Sequence, residues 1–181
     1  MDGRERNVVV WDIKVLAVIN VLHVLVAATW VGAAVYGQVV MGPLMAKLTP
    51  LARREVGAIG MPAGLKFGNA MGGFTLLTGL VLLHGFLEVR GLTWGTFYSD
   101  PWGKYVAFAL IMNLLVLYLI NFSVRPTLRA LAKLMPEVDP EQPPPPNVVF
   151  LQRRLVFTSR LGVALLLLAA VVMVTANALY G

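Results

Sequence analysis

Four apolar runs, each long enough to cross a bilayer, constrain this chain more than any other feature. They cover about 15–40, 65–89, 103–124 and 155–180, and roughly 20 apolar residues suffice for a helix to span the hydrocarbon core. The expected fold is all-α, an integral membrane four-helix bundle forming one transmembrane domain over residues 1–181. Charge supports this reading: 13% of residues are charged and mean hydropathy is +0.76, against about 25% charged in soluble domains. No large soluble domain fits beside four spans. The first run continues through Trp30, Gly37 and Met41 without the short core and small-residue cleavage site of a signal peptide, so it reads as a retained span.

The connections carry the breaks and the charge. Met41-Gly42-Pro43 is expected to end the first helix and Arg125-Pro126 the third, since proline removes a backbone donor and disfavours the helix around it. Leu51 to Val56 reads as a short surface helix, with Met61-Pro62 resetting the chain before the second span. The segment Trp94 to Trp102 is rich in aromatics suited to a headgroup interface, where Trp11, Trp94 and Trp102 are expected as anchors. Residues 125–154 form the longest connection. There, Thr127 to Met135 sets Leu128, Leu131 and Leu134 against Arg129 and Lys133, an amphipathic pattern for the membrane surface, and Pro140 to Pro146 reads as an extended linker.

Lys and Arg are distributed unequally. Of the 15 in the chain, the first and third connections hold Lys47, Arg53, Arg54, Lys66, Arg125, Arg129, Lys133, Arg153, Arg154 and Arg160, and the remaining five lie at the N-terminus and second connection. The positive-inside rule then sets both termini outside and the 125–154 connection in the cytoplasm of a multi-pass cell-membrane protein. The net charge of +6 is thus a topology signal, with a lipid bilayer and no nucleic acid as the implied partner. With no cysteine in the chain, disulfides, thiolate-held iron–sulfur clusters, covalent haem and Cys-based zinc sites are excluded.

The chain has two histidines, His23 and His84, both inside apolar runs. Intramembrane ionisable residues are costly and usually mark function. Consecutive spans run antiparallel, and counting at 1.5 Å per residue sets His23 about 12 Å and His84 about 8 Å from the same boundary. Two imidazoles at similar depth on adjacent helices suit a haem iron held from both faces, with His23 and His84 as metal ligands and Ala27 and Trp30, on the His23 face, lining the cofactor. One bis-His haem b per chain is the ceiling, since a two-haem cytochrome needs four histidines. For either histidine alone, a plain interhelical hydrogen bond is the simpler reading. Asn20, Asn69, Asn113, Asn121 and Asn177 are expected to make such bonds, and Gly68 with Gly72 to allow close helix approach.

The stretch Leu22-His23-Val24-Leu25-Val26-Ala27-Ala28-Thr29-Trp30-Val31-Gly32 resembles the first helix of the copper resistance D and membrane protoporphyrinogen oxidase group. Trp102-Gly103-Lys104, and Asn121 with Arg125-Pro126, are also similar to that group. The resemblance implies a four-helix haem-binding membrane protein, and in the oxidase branch roles for His23 and Lys104. The acidic residue expected before the last helix is missing from Arg154-Leu155-Val156-Phe157-Thr158-Ser159.

The leading expectation is a b-type haem protein for membrane electron transfer, or the haem-bearing subunit of a redox complex, with a quinone, partner subunits or a second copy as partners. Three alternatives stand beside it. The first is a porphyrinogen-oxidising enzyme, with Lys104 or Arg154 attracting propionates. The second is copper transport or tolerance through soft Met ligands such as Met41 and Met45. The third is a membrane anchor with no cofactor.

Overall fold

The computed structural model describes residues 11–135 and 142–180, and these form an all-α bundle with no strand. The helices are α1 (Ile13–Tyr36), α2 (Gly42–Lys47), α3 (Pro50–Val89), α4 (Trp94–Phe97), α5 (Pro101–Leu119), α6 (Arg125–Leu134) and α7 (Pro146–Tyr180). Five-residue π turns, Gly37–Met41 and Ile120–Val124, join α1 to α2 and α5 to α6. Four continuous rods result, Ile13–Lys47, Pro50–Val89, Pro101–Leu134 and Pro146–Tyr180, each long and apolar enough to cross a membrane.

The prolines do not end the helices as expected. Each π turn closes on the residue before a proline: the Gly42 N–H donates to the Gly37 carbonyl and the Arg125 N–H to the Ile120 carbonyl, five residues back. Widening the turn by one residue relieves the clash between a proline ring and the preceding turn while keeping the backbone paired, as membrane helices require. Pro62 is likewise absorbed within α3, so the short surface helix expected at Leu51 to Val56 is the first part of a 40-residue helix.

The amphipathic segment after Pro126 is also corrected. It continues the third rod, burying Thr127 and Leu131 and packing against α7 and α3 instead of lying alone on the surface. The last helix begins at Pro146, nine residues before the expected boundary, with proline at a position where its missing donor costs nothing. Of the expected proline-rich linker, residues 140 and 141 lie outside the described residues. A rod of 35 residues is about 52 Å long against a hydrocarbon core of about 30 Å. The excess lies at the end carrying Lys47, Arg53, Arg54, Arg129, Lys133 and Arg153, called here the basic end.

Connections are fixed by side-chain capping. Arg53 donates to the carbonyls of Met45 (2.9 Å), Ala46 (3.0 Å) and Leu48 (3.1 Å), satisfying acceptors left open where α2 stops. Gly91, at φ +65°, takes the left-handed position that closes α3, and the Leu92 N–H returns to the Leu87 carbonyl at 2.8 Å. Asp100 caps α5 by accepting from the Gly103 N–H at 3.1 Å.

Packing pairs α1 with α3 and α5 with α7. Trp30, Val116 and Leu166 meet at mid-bundle, and Leu83, Leu87, Phe97, Trp102 and Ala176 form a second core toward the end opposite the basic one. Trp102 is therefore a core residue instead of an interfacial anchor: it is 5% exposed and the Arg90 guanidinium lies 4.7 Å from its ring centre. Trp94, 54% exposed, keeps the position expected of an anchor.

Candidate functional site

Three side chains of α1 at seven-residue spacing, Leu16, His23 and Trp30, enter three glycine notches of α3, at Gly85, Gly79 and Gly72. A Cβ on Gly79 would lie 3.0 Å from His23 Cε1, and one on Gly72 2.7 Å from Trp30 Cζ2. The glycines let the helices approach until these rings lie on backbone. His23 is thus built into the α1–α3 interface at a depth set by its two neighbouring knobs.

The hydrogen bonds at His23 orient its ring. His23 Nδ1 lies 2.9 Å from Thr78 Oγ1, and that hydroxyl lies 2.7 Å from the Phe74 carbonyl and 3.3 Å from the Thr75 carbonyl. A hydroxyl has one proton, and a carbonyl can only accept. With its proton on the helix backbone, the Thr78 hydroxyl is an acceptor for a ring N–H of His23, a bond that orients the imidazole. Histidine ligands of metals are oriented in the same way, one ring N–H donating to a fixed acceptor.

The expected partner lies elsewhere. His84 is next to Gly85 and so level with Leu16, whereas His23 packs on Gly79. The separation of five residues along α3 is about 7.5 Å in height and about 140° around the axis. His84 is exposed, its Nε2 is 3.5 Å from Glu88 Oε1, and the Trp11 ring meets it edge-on at 6.1 Å. The two imidazoles do not face a common space, and a bis-His haem does not fit this arrangement.

Ala27 and Trp30 share the inner face of α1 with His23, Ala27 half-buried and Trp30 3% exposed. Asn113 Oδ1 is the buried side-chain oxygen left without a partner among the described residues. Trp30 and Val116 meet in one core cluster, and α1 and α5 run parallel. Three residues back from each lie Ala27 and Asn113, which sets Asn113 about 4.5 Å from the Trp30 level, toward His23. An unmatched acceptor at that depth is costly unless something else reaches it.

Of the other asparagines, Asn121 Nδ2 donates to Asn69 Oδ1 at 2.9 Å, joining the third rod to α3. Among the described residues, Asn20, Asn113 and Asn177 make no interhelical bond, contrary to expectation. Lys104, in the first turn of α5, is exposed and lies at the opposite end of the bundle from Arg154. Met41 and Met45 lie one turn apart on an unbroken helical stretch, because the π turn carries the chain past Pro43. Among the described residues, no three His, Cys, Asp or Glu side chains gather as a metal site.

A cleft of about 360 Å³ opens on the basic side of Trp30, reached by all four rods and lined by residues including Gln38, Gly64, Val116, Ser159 and Leu166. Sequence reading missed it. Its signal was the set of glycines Gly64, Gly68 and Gly162 at similar depth. No protein-family model, curated protein or solved structure matches this chain.

Proposed function

We propose that this chain is a multi-pass cell-membrane protein that binds one haem b through Nε2 of His23, as an electron carrier or as the haem-bearing subunit of a membrane redox complex. The observation that carries the reading is the His23–Thr78 hydrogen bond, which orients an imidazole inside the bundle. When bound, a haem would supply one-electron chemistry. His23 would hold it, Thr78 would keep the imidazole oriented, and Ala27 and Trp30 would shape the wall beside it. The similarity of the Leu22 to Gly32 stretch to the copper resistance D and membrane protoporphyrinogen oxidase group supports the same ligand residue.

His84 has no part in this site. His23 would hold a haem without a second histidine from this chain, so a high-spin visible spectrum is expected in place of the low-spin spectrum of a bis-His centre. The test is a reduced-minus-oxidised spectrum and haem extraction on protein purified from a haem-replete host. Protein that emerges free of haem overturns the proposal.

Copper handling has one observation in its favour, the Met41–Met45 spacing on continuous helix. Cu(I) binding that falls when both are replaced by Leu, and is indifferent to His23→Ala, would select that reading.

A further inference from the structure

The cleft below Trp30 has a composition that specifies a ligand. Its lining contains no Asp, Glu, Lys, Arg or His, so a charged group would enter it uncompensated. Its volume is within the range of small-molecule sites, which are mostly apolar with a few placed polar groups. Three donors are available. Gln38, on the π turn, and Ser159 have no hydrogen-bond partner among the described residues. The indole N–H of Trp30, a residue only 3% exposed, is also unpartnered. Its Nε1 is on the Gly68 side of the ring, 3.9 Å from where a Gly68 Cβ would lie, and both residues line the cleft. Thr158 is already committed, donating to the Arg154 carbonyl at 2.9 Å.

Donors on a neutral, apolar slot call for a neutral ligand that carries acceptors. Gly64 and Gly162 have open space where a Cβ would stand, which leaves room within the cleft, on the basic side of Trp30, for a flat ring. We propose that this cleft binds a lipid-soluble quinone, its carbonyl oxygens accepting from Gln38, Ser159 and the Trp30 N–H and its ring lying in the space beside Gly64 and Gly162. The site does not depend on the haem reading, because neither His23 nor Thr78 lines it.

Decylubiquinone titrated into the purified full-length protein in detergent tests this directly. Saturable binding is expected. Gln38→Leu should weaken it about tenfold, the effect of one lost hydrogen bond of about 1.4 kcal/mol. Gly162→Leu and Gly64→Leu should abolish it by filling the slot while leaving helicity and elution volume unchanged. Two glycine variants guard against failure of one to fold. Uptake no greater than into empty micelles overturns the proposal, as does binding that survives both glycine substitutions. Equal competition by decylbenzene, which has the tail and no carbonyl, would make the cleft a lipid-chain groove and also overturn it.

Discussion

Gly72 and Gly73 are adjacent in α3 and should respond oppositely to alanine. A Cβ on Gly72 would lie 2.7 Å from both Trp30 Cζ2 and Leu117 Cδ2, whereas one on Gly73 meets nothing within 4 Å. Carbon contacts are most favourable at about 3.5–4.0 Å, so at Gly72 roughly 1 Å must be recovered on two sides at once. Trp30 cannot yield easily, being 3% exposed and packed with Val116 and Leu166. Both substitutions gain the same helix propensity of about 1 kcal/mol. Their difference therefore isolates overpacking, and Gly72→Ala should be less stable than Gly73→Ala by about 1–3 kcal/mol. Reversible denaturant unfolding in micelles, followed by helical circular dichroism, measures the pair under one set of conditions. A difference below about 0.5 kcal/mol, the scatter of neutral surface substitutions, or one of opposite sign, would refute the knob-in-notch account of the α1–α3 interface.

Thr78→Val keeps the shape of the side chain and removes the hydroxyl that orients His23, so haem retention after chromatography should fall while helicity is unchanged; unaltered retention would remove Thr78 from the proposed site. Asn121→Leu breaks the Asn69 link between the third rod and α3 and should destabilise the bundle by about 0.6–1.7 kcal/mol, read from unfolding midpoints against wild type. Because the chain has no cysteine, a single introduced thiol reports topology cleanly: Ser99→Cys should react with an impermeant maleimide in intact cells, and Ala46→Cys only after lysis. The reverse pattern would invert the orientation drawn from the Lys and Arg distribution.

The four spans were legible because length and apolarity alone decide them. Their ends at the prolines were not. Pro43 and Pro126 do break local hydrogen bonding, but a one-residue widening of the turn restores pairing, and nothing in the dipeptides themselves separates a break from a π turn. His23 stands out in the sequence because it is an imidazole in a span, and its sharing one face of α1 with Ala27 and Trp30 follows from helical spacing. Pairing it with His84 failed on rotation as much as on depth. Depth was counted from the ends of the runs, while the face of α3 that meets α1 is set by Gly72, Gly79 and Gly85. Those glycines carry the information that His84 points away, although only the packed helices reveal which side chains they receive.

Visible spectra of the His23→Ala and His84→Ala proteins, purified alongside wild type and quantified for haem per chain, test the central claim most directly. The account predicts that His23→Ala loses the haem and that His84→Ala retains it with an unchanged spectrum. Equal loss from both variants would restore the paired-histidine site and contradict the geometry described for His84. Retention of haem by His23→Ala would remove the ligand on which the proposed function rests.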